Sequence, residues 1–80
     1  MIQEMIYKAL GHRFQANIDE AKAVIEIYFN NSVGIGEHPQ HLNEIKKHID
    51  IISKNEGRLD ILTKYFSDYN ERRGNVWNTL

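Results

Sequence analysis

Apolar residues recur every three or four positions along two long stretches of the chain, which is the periodicity of an amphipathic α-helix. Over residues 2–29 they are spaced by four, four, four, three, four and three, in the order Ile6, Leu10, Phe14, Ile18, Ala21, Ile25 and Tyr28. We therefore predict a first helix over about residues 2–30. Its one interior weak point is Gly11, because glycine costs about 1 kcal/mol relative to alanine inside a helix.

The second stretch predicts a helix over about residues 39–72. Its apolar residues also keep one phase, namely Leu42, Ile45, Ile49, Ile52, Leu59, Leu62 and Phe66. The tripeptide Asn55-Glu56-Gly57 could instead form a turn and give three helices in all, although the unbroken apolar phase around it favours one helix. Arg72-Arg73-Gly74 is typical of a helix end, since cations favour the last turn and glycine follows it. Residues 73–80 would then form a tail.

Residues 31–38 separate the two stretches and have the composition of a turn. Gly34 and Gly36 can adopt the positive φ that helix ends and tight turns require. Pro39 suits the first position of a helix, because its missing N–H would have no partner there, and this makes His38 the N-cap. A connection this short makes the helices antiparallel neighbours. The predicted fold class is all-α, an antiparallel helical hairpin.

Both predicted helices carry more apolar residues than one shared seam needs. The additional ones are Ile2, Met5, Val24 and Ile27 in the first helix and Ile51, Ile61, Tyr65 and Tyr69 in the second. A lone hairpin would leave many of them in water, and an exposed apolar surface of this kind usually marks an interface. We therefore expect two hairpins to associate into a four-helix bundle. The alternative is that the surface binds a different protein.

Composition narrows the class of protein further. The chain has 80 residues, a net charge of −1 and no cysteine, and 41% of its residues are hydrophobic. This length predicts a single domain, and the absence of thiols suits a reducing compartment. The charge disfavours general nucleic-acid binding, which usually needs a basic excess. No run of about 20 apolar residues and no signal peptide is found, so we expect no membrane insertion and a cytoplasmic location.

Three groups of polar residues are candidates for chemistry. Arg13, Asn17 and Glu20 lie toward the apolar side of the first helix, where a polar site is possible, but a hydrogen-bonded row that fixes register is favoured. His41, Glu44 and His48 share one helix face and could bind a divalent ion, although such residues are common beside an apolar stripe. Gly34-Ile35-Gly36 before a helix could bind an anion, but turn geometry is the favoured explanation.

None of these groups has the pattern of a catalytic site. There is no cysteine nucleophile, and Ser32, Ser53 and Ser67 show no local partner residues. We therefore predict that the protein is not an enzyme and requires no cofactor and no metal. If a small nucleotide or anion is bound, the residues expected near it are Arg13, His41 and His48.

A resemblance adds a biological context. The run from Tyr28 through Val33-Gly34-Ile35-Gly36-Glu37-His38-Pro39, followed by Leu59-Asp60-Ile61-Leu62 and Tyr65-Phe66, resembles small helical-hairpin proteins of large tailed, T4-like bacteriophages. The resemblance covers about residues 15–66. It implies a small phage accessory protein that works in the host cytoplasm or in the virion, and it carries no catalytic residues.

The sequence thus predicts a non-enzymatic protein that acts through protein–protein contacts. The expected partners are a second copy of the chain and another protein, such as a host, defence or virion protein. The residues expected to contact that protein outside the core are Gly34, Gly36, Glu37, His38 and Trp77. The alternative is an oligomer that binds a small ligand.

Overall fold

The computed structural model describes residues 2–30 and 39–70, which form two antiparallel helices. Helix α1 spans Ile2–Asn30, and helix α2 spans Pro39–Phe66 and is followed by a 3₁₀ turn, Ser67–Tyr69. Tyr7 and Leu62 share a buried cluster at one end of the pair. At the other end, the rings of Tyr28 and His41 lie 5.3 Å apart. The predicted all-α helical hairpin is therefore confirmed.

The two helices meet along a seam with alternating spacings of three and four residues. In α1 the seam consists of Tyr7, Gly11, Phe14, Ile18, Ala21, Ile25 and Tyr28, and all of these residues are buried or half-buried. In α2 the matching residues are His41, Ile45, His48, Ile52, Asn55, Leu59 and Leu62. This average spacing of 3.5 residues is that of a coiled coil, in which each helix keeps one narrow stripe toward its partner.

The seam in the first half of α1 differs from the predicted stripe. Ile6 and Leu10 are 56% and 39% exposed, whereas Tyr7 and Gly11 are buried. The reason is angular, because successive residues are about 100° apart and steps of four therefore drift by about 40° each. Counting back from Phe14 by three and then four leads to Gly11 and Tyr7 and keeps the stripe straight.

The seam in the first half of α2 also differs from the prediction. Leu42 and Ile49 are 58% and 52% exposed, and the adjacent His41 and His48 are half-buried in the seam instead. Ile45 and Ile52 can face α1 together with either Leu42 and Ile49 or the adjacent His41 and His48, and only one of these two pairs can lie in the seam. The phase set by Asn55, Leu59 and Leu62 extends to the two histidines when it is followed in steps of three and four.

Helix α2 is continuous through Asn55-Glu56-Gly57 but ends earlier than predicted. Its last residue is Phe66 instead of a residue near 72, and the N–H of Asn70 donates a 2.9 Å hydrogen bond to the carbonyl of Ser67. Because Tyr7 lies beside Leu62, the start of α1 lies opposite the 3₁₀ turn. The end of α2 therefore lies where α1 begins, and packing against a neighbour supplies most of the stability of a helix.

The core is narrow for a chain of this length. Among the described residues, the buried hydrophobic side chains are Tyr7, Ile18, Ala21 and Leu62. The molecule measures 52 × 21 × 17 Å. Neither described helix combines the length and apolar character needed to cross a membrane.

Candidate interaction surface

The hairpin has two long flanks on either side of its seam. One flank, here called the apolar flank, carries Ile6, Leu10, Val24 and Ile27 of α1 together with Ile51, Ile61 and Tyr65 of α2. The other, here called the mixed flank, carries Gln15, Lys22, Leu42, Ile49 and Glu56. The helical period assigns these sides, because in antiparallel helices the corresponding heptad positions flank the seam on the same side.

Packing across the seam agrees with this division. On the apolar flank, the guanidinium carbon of Arg58 lies 5.9 Å from the ring centroid of Phe14. On the mixed flank, Gln15, Lys22 and Glu56 surround a depression of about 200 Å³ with Ile18 and Leu59 at its base. The two flanks therefore differ in chemistry, and the mixed flank also exposes large apolar side chains at Leu42 and Ile49.

A groove of about 350 Å³ opens where α1 begins and α2 ends. Its lining is apolar and aromatic apart from one amide, and consists of Gln3, Ile6, Tyr7, Leu10, Leu62, Phe66 and Tyr69. The 3₁₀ turn after α2 brings Tyr69 to the groove. Such a groove offers an apolar side chain a place to bury, but its lining offers no charged group to an anion.

A pair of asparagines interrupts the apolar seam near its middle. The side-chain amide nitrogen of Asn17 donates a 3.1 Å hydrogen bond to the side-chain oxygen of Asn55. The side-chain nitrogen of Asn55 in turn donates to the backbone carbonyl of Ile51 at 2.8 Å. Asn55 is only 3% exposed, so both ends of its amide are hydrogen-bonded inside the seam. A buried asparagine at such a position fixes the register of a coiled coil.

This pair resolves the role of Asn17 within the predicted polar row. Asn17 is hydrogen-bonded across the seam, as the favoured interpretation expected of this residue. Its two companions, Arg13 and Glu20, are exposed and lie farther from the seam on the apolar flank.

The two histidines of α2 act as seam residues. The ring nitrogen Nδ1 of His48 lies 2.7 Å from the carbonyl oxygen of Glu44 and donates to it. The ring of His41 packs on Tyr28. Within residues 2–30 and 39–70, no three His, Asp or Glu side chains converge as a metal site requires. The possible site at His41, Glu44 and His48 therefore has no support from the geometry.

The residues predicted to bind a small ligand do not come together. Arg13 is near the middle of α1, whereas His41 is opposite Tyr28 at the turn end. At 1.5 Å per residue, the 15 positions from Arg13 to Tyr28 separate them by about 22 Å along the helix. A single ligand of nucleotide size bound in one pocket would not contact both Arg13 and His41.

The remaining predicted contact residues lie outside the described part of the chain. These are Gly34, Gly36, Glu37 and His38 in the turn, and Trp77 in the tail. Conversely, the sequence pattern did not single out the groove, because Tyr7 was not assigned to the stripe. The signal that could have found it is the regular alternation of three and four that runs back from Tyr28 to Tyr7.

Comparisons of the chain with protein-family models, with curated proteins and with solved structures gave no match.

Proposed function

We propose that the protein is a non-enzymatic interaction protein that associates with itself through the apolar flank. The observation that carries this proposal is the exposure of large apolar side chains from both helices on the apolar flank. Ile27 is 59% exposed, and Ile61 and Tyr65 are exposed as well. Large apolar side chains exposed in this way are costly in water and are typical of a protein interface.

The accessible surface supports the same proposal. The chain exposes 6307 Å², whereas a compact protein of 9.4 kDa exposes about 5,000 Å² by the usual scaling with mass. A standard interface buries about 800 Å² on each partner. One such contact would bury more than half of the accessible surface by which this chain exceeds a compact protein of its mass. This is the benefit expected of a four-helix bundle for a domain with a small core.

The resemblance of residues 15–66 to small phage proteins adds a second part to the proposal. The associated hairpins would act in an infected bacterium or in the virion, on a host, defence or virion protein. The turn residues Gly34, Gly36, Glu37 and His38, together with Trp77, remain the candidates for that second contact.

Two matched substitutions test self-association through the apolar flank. Ile27→Asp places a charge on the apolar flank, and Ile49→Asp places the same charge on the mixed flank at a position of similar exposure. By light scattering across a dilution series, we expect the wild type and Ile49→Asp to be dimers and Ile27→Asp to have the monomer mass of 9.4 kDa.

Two results would contradict the proposal. A wild-type chain that stays monomeric at all concentrations would exclude self-association. A dimer that Ile49→Asp disrupts and Ile27→Asp leaves intact would assign the interface to the mixed flank. Circular dichroism of both variants checks that the helices remain folded.

A further inference from the structure

The outer row of α1 on the apolar flank has a self-complementary order. Residues seven apart lie on one line along a coiled-coil helix, and Ile6, Arg13, Glu20 and Ile27 form such a line. Read in the opposite direction, the row is isoleucine, glutamate, arginine, isoleucine. An antiparallel copy of the same helix therefore places isoleucine against isoleucine and Arg13 against Glu20.

The geometry points to a two-fold dimer in which α1 packs antiparallel on α1 of a second copy, with Arg13 of each chain paired with Glu20 of the other. This inference rests on the proposed self-association and names its partner surface and register. The two-fold axis passes between Ala16 and Asn17, close to the middle of α1, which spans Ile2–Asn30.

The neighbouring rows fit the same alignment. On the side of the row nearer the seam, Leu10 of one copy lies beside Val24 of the other, and on the far side Ala9 lies beside Ala23. Leu10 and Val24 add apolar contact next to each isoleucine pair, and the alanines allow the helices to approach closely.

In this arrangement, a side chain of the second copy also covers part of the groove. Ile6 lines the groove, and the alignment places Ile27 of the second copy against Ile6. Ile27 lies beyond the groove in its own chain, so the partner's isoleucine covers apolar surface that the hairpin alone leaves open. Because of the two-fold symmetry, both grooves are covered at once.

The charges of Arg13 and Glu20 have no opposite charge nearby on their own helix. The positions three and four residues from Arg13 are Ala9, Leu10, Ala16 and Asn17. Those around Glu20 are Ala16, Asn17, Ala23 and Val24. Intrahelical ion pairs form at these spacings, so neither residue has one available. A partner that carries the complementary charges gives both residues an ion pair, and these pairs also fix its register.

Charge reversal followed by mixing tests this pairing. Arg13→Glu alone places two glutamates against each other in the dimer, and Glu20→Arg alone places two arginines against each other. We expect each variant to raise the dimer dissociation constant about tenfold or more, since two symmetry-related pairs become repulsive. An equimolar mixture of the two variants restores both pairs, so we expect a one-to-one heterodimer close to wild-type affinity.

The controls separate this inference from the proposed function. Lys22→Glu changes an exposed charge on the mixed flank and should leave the dissociation constant unchanged. If the wild type is a dimer but neither reversal weakens it, or if mixing gives no heterodimer, this register is wrong while self-association stands. If the wild type is a monomer of 9.4 kDa at every concentration, both proposals fail.

Discussion

At the scale of single residues, the most informative contact is the hydrogen bond between Asn17 and Asn55. Asn55→Ala removes the acceptor of the Asn17 amide, which is half-buried. We expect the free energy of unfolding to fall by about 1–3 kcal/mol. The Asn17 amide would be left without an acceptor in a seam that excludes water. Urea unfolding at one fixed protein concentration measures the change.

Two further variants serve as controls for this measurement. Asn43→Ala removes an exposed asparagine from α2 and should change stability by less than about 0.5 kcal/mol. The double variant Asn17→Leu/Asn55→Leu should recover the stability lost in Asn55→Ala, since two apolar residues can pack where two amides were bonded. Equal stabilities for Asn55→Ala and Asn43→Ala would show that the buried pair contributes nothing.

The residue scale is also where sequence patterns were least reliable. The stripe over Phe14 to Tyr28 and the residues Leu59 and Leu62 were assigned correctly, because apolar residues occupy the seam there without competition. Around Leu42 and Ile49, the apolar residues lie on the mixed flank and two histidines occupy the seam. Hydrophobicity alone cannot identify a seam built from half-buried rings, one bonded to a backbone carbonyl and one packed on Tyr28.

At the scale of the helices, the two interior glycines are expected to behave oppositely. Gly57 is exposed in α2, and a Cβ added there would meet nothing within 4 Å. Gly57→Ala should therefore stabilise the protein by about 0.5–1 kcal/mol through helix propensity. Gly11 is buried in the seam of α1, so Gly11→Ala must fit an extra carbon between the helices and should show no such gain.

Thermal unfolding followed by circular dichroism at 222 nm compares these two variants under identical conditions. A loss of stability in Gly57→Ala would argue that α2 is interrupted at this point, as the three-helix interpretation of the sequence held. A gain in Gly11→Ala equal to that in Gly57→Ala would argue that the seam is loose around Gly11.

The helix boundaries show which parts of an element are encoded locally. The start of α2 at Pro39 follows from a property of proline itself, and the sequence predicts it. The end of α2 depends on where α1 begins across the seam, which no local signal reports. Arg72-Arg73-Gly74 is a plausible helix end in isolation, but the described part of α2 ends at Phe66, six residues earlier than expected.

At the scale of the whole molecule, the hairpin combines an elongated shape with a thin core. Its radius of gyration is 16.0 Å, whereas a compact domain of 80 residues has about 11–12 Å. The excess of apolar residues was visible in the sequence. Their division into two flanks became visible only once the seam fixed the rotation of each helix, because a shift of one residue rotates a helix by about 100°.

The proposed dimer makes a specific prediction about shape. Its two-fold axis passes near the middle of α1, so two hairpins would lie side by side with their helices fully overlapped. The longest dimension should then stay close to the 52 Å of one hairpin, while the molecular mass doubles. Association through the open ends alone would instead give a particle approaching twice that length, because each hairpin would extend away from the contact.

Small-angle X-ray scattering on the dimer fraction distinguishes these arrangements. A maximum dimension near that of one hairpin supports side-by-side packing, and the Ile27→Asp monomer serves as the control with a similar maximum dimension and half the mass. A dimer nearly twice as long would show that contact occurs at the groove end without alignment of α1, and Arg13 and Glu20 would then have no partner charges. Length and mass measured together therefore test the register independently of any charge substitution.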